Sequence, residues 1–377
     1  MEPRSDARAL AGALGVIADC KTGSGFKAST QAYPELWLRD LVYSEGPLLD
    51  LGHAATVRAH FESMLRLQRR SGQVPTAVGS GLRRIFNQRF HFWTSDTEVL
   101  FLAGVARYSS ATGDRGLEDG HRGGLDSAVR YVEGRTDSHG LLPGMDWRDA
   151  LMCCEGRFLL SNQANLVAMY DALGLPEEAE KVRLSVRELF FDEALGYYAD
   201  AVWWSDGAVM RDLRFDCLGN ALSMLTGITP VEQVPGVCDR FRGAETRFGL
   251  RDFYPPCPPM RARAFRSFGE MNAFARNGAF LRNREGHYQN SAIWPFVEAK
   301  VAEALTKAGR REQAVRIAEL ALGRRGFSEW YSPSDGAPKG SEGQLWTAAG
   351  LLSMSRVLGR PLAQVESDVS NKSPSDA

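Results

Sequence analysis

The chain carries no excess of charge of either sign. Its 377 residues include 45 Lys and Arg against 46 Asp and Glu, a formal net charge of −1. Gripping a phosphate backbone needs a basic surface, so nucleic acid is not an expected partner. Long apolar runs are missing as well. No stretch approaches the roughly 18 residues that cross a bilayer, so no membrane partner is expected. The first residues, MEPRSDARAL, have neither the basic n-region nor the apolar core of a secretory signal. The six cysteines, Cys20, Cys153, Cys154, Cys217, Cys238 and Cys257, form no CxxC pair. Neither a zinc site nor a disulfide framework is expected, and a reducing cytoplasm is the expected compartment. There is no GxSxG, no P-loop, no GxGxxG after a strand and no HExxH. The histidines at 53, 60, 91, 121, 139 and 287 are scattered. No metal and no cofactor is expected.

Aromatic residues carry more information. The eight tryptophans are Trp37, Trp93, Trp147, Trp203, Trp204, Trp294, Trp330 and Trp346. Most lie near acids, Arg or Gly rather than inside apolar helical stretches. Flat apolar walls with charged groups between them suit a sugar, whose C–H faces stack on indole while its hydroxyls need polar partners. A small carbohydrate is the expected partner.

The dominant hydrophobic period is helical. Apolar stripes predict helices over 5–20, 40–51, 54–70, 96–112, 124–134, 161–173, 177–190, 213–226, 291–308, 311–323 and 342–358. Ser161 is the expected cap of the sixth, with Gly174-Leu175-Pro176 ending it. Strand signals are few. One hairpin is predicted at 196–204, around Tyr197-Tyr198 and Val202-Trp203, with Ser205-Asp206-Gly207 as a turn. Long loops separate the helices at 21–39, 72–94, 136–160, 245–290 and 324–341, and long ordered loops in compact domains are usually functional.

The helices come in pairs. Pairs arranged in a ring put one helix of each inside and one outside, which is the (α/α)6 toroid. An open α-solenoid would show a sequence period of roughly 34–47 residues, and none is visible. The expected organisation is one all-α domain over 1–363. The polar tail 364–377 is expected to be disordered.

Four loop motifs hold groups able to do chemistry. Trp37-Leu38-Arg39-Asp40 enters a helix, where the dipole favours Asp40 and Arg39 is able to orient a carboxylate. The alternative is a capping salt bridge. The loop from Gly140 to Asp149 places Asp146, Trp147, Arg148 and Asp149 together. An acid beside an indole fits a general acid, and the alternative is a solvated turn. His287-Tyr288-Gln289-Asn290-Ser291 leads to Trp294 and an apolar helix, a grouping suited to a neutral polyol or, alternatively, a helix capped by Ser291. Glu329 sits among aromatics in Phe327-Ser328-Glu329-Trp330-Tyr331, followed by Gln344 and Trp346, as a functional acid or, alternatively, a satisfied core acid. Two carboxyls from distant loops, with tryptophan around them, are the equipment of glycoside hydrolysis.

Taken in order, WLRD, GLLPGMDWRD, HYQNSAIWPF, FSEWYSPSDG and GQLWTAAGLL resemble the (α/α)6-barrel glycosidases, in particular the processing α-glucosidase and mannosylglycerate hydrolase group. Trehalases, neutral invertases and amylo-α-1,6-glucosidase domains are related. The resemblance runs from about residue 30 to 358. It implies a sugar subsite at Trp37, Arg39 and Asp40, with Trp93, Trp147, Arg148, Tyr288, Gln289, Asn290, Trp294, Trp330, Gln344 and Trp346 in its surroundings. It implies a general acid in the central loop. One alignment of the motif selects Asp146, which is slightly preferred, and another selects Asp149. It implies Glu329 as general base, although Ser328 replaces the usual histidine. Gln289 likewise stands where those families carry histidine. The implied reaction inverts the anomeric centre, with carboxyls roughly 6.5–9.5 Å apart. No β-sandwich precedes the barrel, so the cleft is expected to be open or closed by 245–286. That favours exo-action on a small α-linked glycoside or disaccharide. A phosphorylase or isomerase on the same barrel, a redirected biosynthetic enzyme and a non-catalytic sugar-binding protein are the other readings.

Overall fold

The structure, a computed structural model, describes residues 3–79, 94–149, 151, 157–258 and 284–360. Twelve helices lie in these residues: α1 Pro3–Cys20, α2 Leu38–Asp50, α3 Ala54–Leu65, α4 Asp96–Thr112, α5 Gly116–Glu133, α6 Leu160–Ala172, α7 Pro176–Phe190, α8 Cys217–Leu225, α9 Val234–Ala244, α10 Pro295–Lys307, α11 Arg311–Leu322 and α12 Leu345–Val357.

The even-numbered helices pack on one another in sequence. α2 touches α4, α4 touches α6, α6 touches α8, α8 touches α10, α10 touches α12, and α12 returns to α2. The odd-numbered helices lie against this cycle: α1 on α12, α3 on α2 and α4, α5 on α4, α7 on α6, α9 on α8, and α11 on α10 and α12.

Residue choice explains the division. A helix packed on every side has no need of an apolar stripe, whereas a peripheral helix needs one. In α4 an unbroken run from Asp96 to Val105 is buried, in α6 the run from Leu160 to Val167, and in α12 the run from Leu345 to Leu352. By contrast α5 buries only Leu117, Ala128 and Val132, and α7 buries Ala179, Val182, Val186, Leu189 and Phe190. Gly104 permits the close approach of α4 to α3, since a Cβ there would lie 2.8 Å from the Phe61 ring.

Five of the six even-numbered helices also start alike, α4 being the exception with Ser95 at ψ −6°. The residues before α2, α6, α8, α10 and α12 (Trp37, Leu159, Asp216, Trp294 and Gln344) are all extended, with ψ of 127°, 139°, 113°, 113° and 126°. Short ladders tie these entries to neighbouring loops: Trp37 with Ala77, Leu159 with Ala201, Asp216 with Phe253, Ile293 with Tyr331, and Gln344 with Ser29. The polar loop residues are thereby fixed at the helix N-termini.

Several local expectations are corrected. The helix α9 was absent from the periodicity reading because Pro235, Gly236 and Gly243 interrupt its short stripe of Val237, Cys238, Phe241 and Ala244. The helix α5 begins at Gly116 rather than 124 and is kinked at His121 within a glycine-rich stretch. The single hairpin at 196–204 is two hairpins. Tyr197–Tyr198 pairs with Phe191–Asp192, while Ala201–Ser205 pairs with Ala208–Asp212. The second turns at Asp206 and Gly207, both with positive φ. Neither proposed serine cap forms. The Ser161 hydroxyl donates to Asp146, and that of Ser291 donates to the Phe253 carbonyl.

Trp93 and the tail 364–377 lie outside the described residues, as does most of 245–286 beyond 258. Among the described residues Cys20, Cys217, Cys238 and Cys257 are buried free thiols, and no helix is long and apolar enough to cross a membrane.

The two helix classes differ in their tolerance of truncation. Phe101, buried in α4, meets Phe61 edge-on at 5.9 Å. Phe101→Ala is expected to cost about 3–5 kcal/mol. Leu184 on α7 is 57% exposed, and its truncation is expected to stay within about 0.5 kcal/mol. Urea denaturation of both variants checks this; equal losses would contradict the assignment of inner and outer faces.

Candidate functional site

The sequence motifs converge at the N-terminal ends of the even-numbered helices. Arg39, in the first turn of α2, is buried and makes a two-pronged pair with Asp96 of α4, at 2.6 Å from Nε and 2.9 Å from Nη2. Its Nη1 donates to Asp149 Oδ2 at 2.9 Å, and Nη2 donates to the Asp146 carbonyl at 3.2 Å. One guanidinium thus binds α2, α4 and the 140–149 loop together. Such forked charge-assisted bonds fix geometry as well as energy. Asp96 is a site residue that sequence reasoning missed. Its signal was an acid in a helix first turn directly after Thr94-Ser95.

Asp149 receives a second donor, the Gln289 amide, whose Nε2 lies 3.3 Å from Oδ1 and 2.6 Å from the Trp147 carbonyl. The Asp149 side chain is 22% exposed, unlike the other acids of this loop and helix end.

Asp146 has a different setting. It is 1% exposed and receives the backbone N–H of Arg148 at 2.9 Å, the Arg148 guanidinium at 2.8 Å from Nη2, and the Ser161 hydroxyl. Burial alone raises its carboxyl, but the Arg148 charge and these donors outweigh burial and hold it below the usual carboxylate range. Arg148 is fully buried and also pairs with Asp200 at 2.8 Å and Asp216 at 3.5 Å. Asp252, fully buried, feels the charges of both Arg148 and Asp216. One arginine therefore serves several acids, and burial pushes Asp200, Asp216 and Asp252 above the usual carboxylate range. Burial first, then Asp200 and Asp146, push Asp216 up to about 7 against the pull of Arg148.

On the other side of α2's first turn, Asp40 accepts the Gln344 amide at 2.7 Å. Burial, and after it the charge of Glu329, push the Asp40 carboxyl well above the usual range. Glu329 Oε2 accepts the Ser341 backbone N–H at 3.1 Å, and Tyr33 Oη donates to Oε1 at 3.4 Å. Gly340 makes room for this carboxyl, since a Cβ there would lie 2.4 Å from Oε2. Tyr33 and Ser341 are further members that the motifs did not single out.

The aromatic residues form a connected cluster. Trp147 meets Trp294 and Phe296 edge-on, each at 5.0 Å. Phe296 stacks on Trp346 at 4.4 Å. Tyr288 meets Trp294 and Trp330 edge-on, and Trp37 meets Tyr33 at 6.1 Å. Tyr288 holds a positive φ of 49°. The Trp294 N–H is bonded to the Tyr288 carbonyl. Asn290, expected at the sugar, is buried with its amide bonded to both backbone groups of Cys257. It ties two loops together.

No family model matches the chain. The helical architecture is shared with solved glycosidases. The GH63 mannosylglycerate hydrolase of Thermus thermophilus, solved with Tris and D-glycerate, superposes with a TM-score of 0.69 at 16% identity, over 91% of this chain and 99% of that one. A rhamnosidase of Klebsiella oxytoca with rhamnose bound gives 0.63 at 13% identity, over 95% of this chain and 65% of that one. Among curated proteins, neutral/alkaline invertase 1, mitochondrial, of Oryza sativa subsp. japonica is 25% identical over 160 residues. That match spans 40% of this chain and 24% of the invertase. The resemblance carried by the sequence motifs and the structural neighbours point to the same group of folds.

The buried acid cluster predicts a pH effect on stability. Asp216 keeps its proton up to about 7 when folded, against roughly 3.9 in an unfolded chain. Its contribution is complete below pH ~4 and is lost as pH rises toward ~7. Asp216→Asn removes that loss and retains a side-chain oxygen to cap Leu218 of α8. Its Tm relative to the parent is expected to be higher at pH 8 than at pH 5 by at least about 2 °C. A difference independent of pH would contradict the assignment.

Proposed function

We propose that the chain is an inverting, exo-acting glycoside hydrolase of the (α/α)6 toroid type, acting on a small α-linked glycoside or disaccharide. Asp149 is the general acid and Glu329 the general base. The observation that carries this reading is the first turn of α2. Arg39 holds Asp149 on one side, and the next residue, Asp40, feels Glu329 on the other. On this reading two carboxyls from distant loops serve one helix terminus, beside a cluster of indoles. The closed cycle of six helices with six packed outside it supports the toroid, and the sugar-binding glycosidases among its structural neighbours support the class of substrate.

Between the two alternatives for the acid, accessibility favours Asp149. A general acid needs a proton to give and contact with the leaving oxygen. Asp146 has neither, being enclosed and held ionised by Arg148. Its role is to anchor Arg148 behind the site.

The reaction balances simply. Asp149 gives its proton to the glycosidic oxygen as the bond to the anomeric carbon breaks. A water attacks that carbon from the opposite face, and Glu329 takes the proton the water releases. Asp40, whose carboxyl burial and Glu329 push above the usual range, lies beside the proposed base and is placed to bond a sugar hydroxyl. Trp147, Trp330 and Trp346 supply apolar surface for the ring.

Asp149→Asn and Glu329→Gln are each expected to lower turnover about a hundred- to ten-thousand-fold while leaving the fold intact. The assay is a panel of α- and β-linked disaccharides and glycosides with the released anomer followed by NMR. An α-linked substrate releasing the β-anomer is the expected result. Retention, unchanged turnover in either variant, or a requirement for phosphate would contradict the proposal.

A further inference from the structure

Asp149 meets a donor on each oxygen. Arg39 Nη1 lies 2.9 Å from Oδ2, and Gln289 Nε2 lies 3.3 Å from Oδ1. Both favour the ionised carboxylate, because an N–H stabilises charge and obstructs a proton on the same oxygen. Yet a general acid has to carry a proton. Turning the Gln289 amide over would present its carbonyl to a protonated Asp149, but the same nitrogen donates to the Trp147 carbonyl at 2.6 Å. That bond locks the amide as a donor. The other charged groups around Asp149 are arranged about Arg39. Among the described residues they include Asp96 of α4, paired with the same guanidinium, and Asp146 in its own loop, paired with Arg148.

We infer that Gln289 is a positioning residue for the acid and not a sugar ligand, and that Oδ1 is the oxygen that carries the transferred proton. This rests on Asp149 being the acid of the proposed reaction. Of these two contacts, the Arg39 pair is the shorter and is braced by the fork onto Asp96. The Gln289 contact is the longer and gives way when Oδ1 takes up a proton. The partial exposure of Asp149 lets solvent supply that proton between turnovers. On transfer, the Oδ1–H bond breaks, the proton passes to the leaving oxygen, and the Gln289 N–H returns to stabilise the carboxylate left behind.

The test follows the Asp149 carboxyl directly, by carbon-13 NMR of protein labelled at aspartate side chains. The resonance missing in Asp149→Asn identifies it. In Gln289→Leu its titration midpoint is expected to move to higher pH, corresponding to about three- to tenfold tighter proton binding. The basic limb of turnover on an aryl α-glycoside is expected to move the same way. Gln289→Ala, which leaves room for water, provides a second variant with the same expected direction. An unmoved midpoint in a folded variant, or a rise in KM with an unmoved midpoint, overturns the inference and returns Gln289 to the sugar. The reading of Asp149 as acid is tested separately, since full turnover in Asp149→Asn rejects that assignment and leaves the titration result standing.

Discussion

The site depends first on one buried cation, Arg39, with a second, Arg148, behind it. Arg39 occupies the first turn of α2, forks onto Asp96 at the start of α4 and reaches Asp149 in the loop before α6. Two neighbouring members of the helical cycle and the 140–149 loop are therefore held by one guanidinium. A buried charge of this kind is costly unless every partner is in place, so it specifies the arrangement as well as binding it. Lysine could not replace it, because a point charge lacks the fork that meets two carboxylates and a carbonyl together.

Around that cation, similar side chains acquire different properties from their settings. Asp146 is buried yet held below the usual carboxylate range by Arg148, Asp40 is pushed above it by burial and then Glu329, and the Asp149 side chain is the most exposed of the three. Helix N-termini gathered at one end favour negative charge there, which helps so many acids to share a small volume. The separation of titration behaviour among neighbouring carboxyls is the feature that general acid–base chemistry exploits.

Much of this was legible in the sequence, for a physical reason. Stripes such as Val297, Val301 and Leu305 mark helices whatever their surroundings, and the WLRD and MDWRD motifs singled out Arg39, Asp146 and Asp149, which are in contact with one another through the Arg39 guanidinium. What escaped was whatever depends on contact between distant segments. Asp146 and Asp149 cannot be told apart by spacing, because the distinction lies in which one Arg148 encloses. Asn290 looked like a polyol ligand because its link to Cys257 crosses from another loop. Ser161 and Ser291 carried cap signals, but tertiary partners claimed their hydroxyls. The helix α9 escaped because its glycines and proline weaken a stripe that packing then restores.

The central claim is that Asp149 and Glu329 face one sugar across the N-terminus of α2. The most direct measurement is a crystal structure of Glu329→Gln with a bound monosaccharide. The account predicts a pyranose stacked against the indole cluster, with the Asp149 carboxyl and the side chain at 329 roughly 6.5–9.5 Å apart on opposite sides of the anomeric carbon. A sugar bound elsewhere, or the two side chains on the same face of the ring, would contradict it.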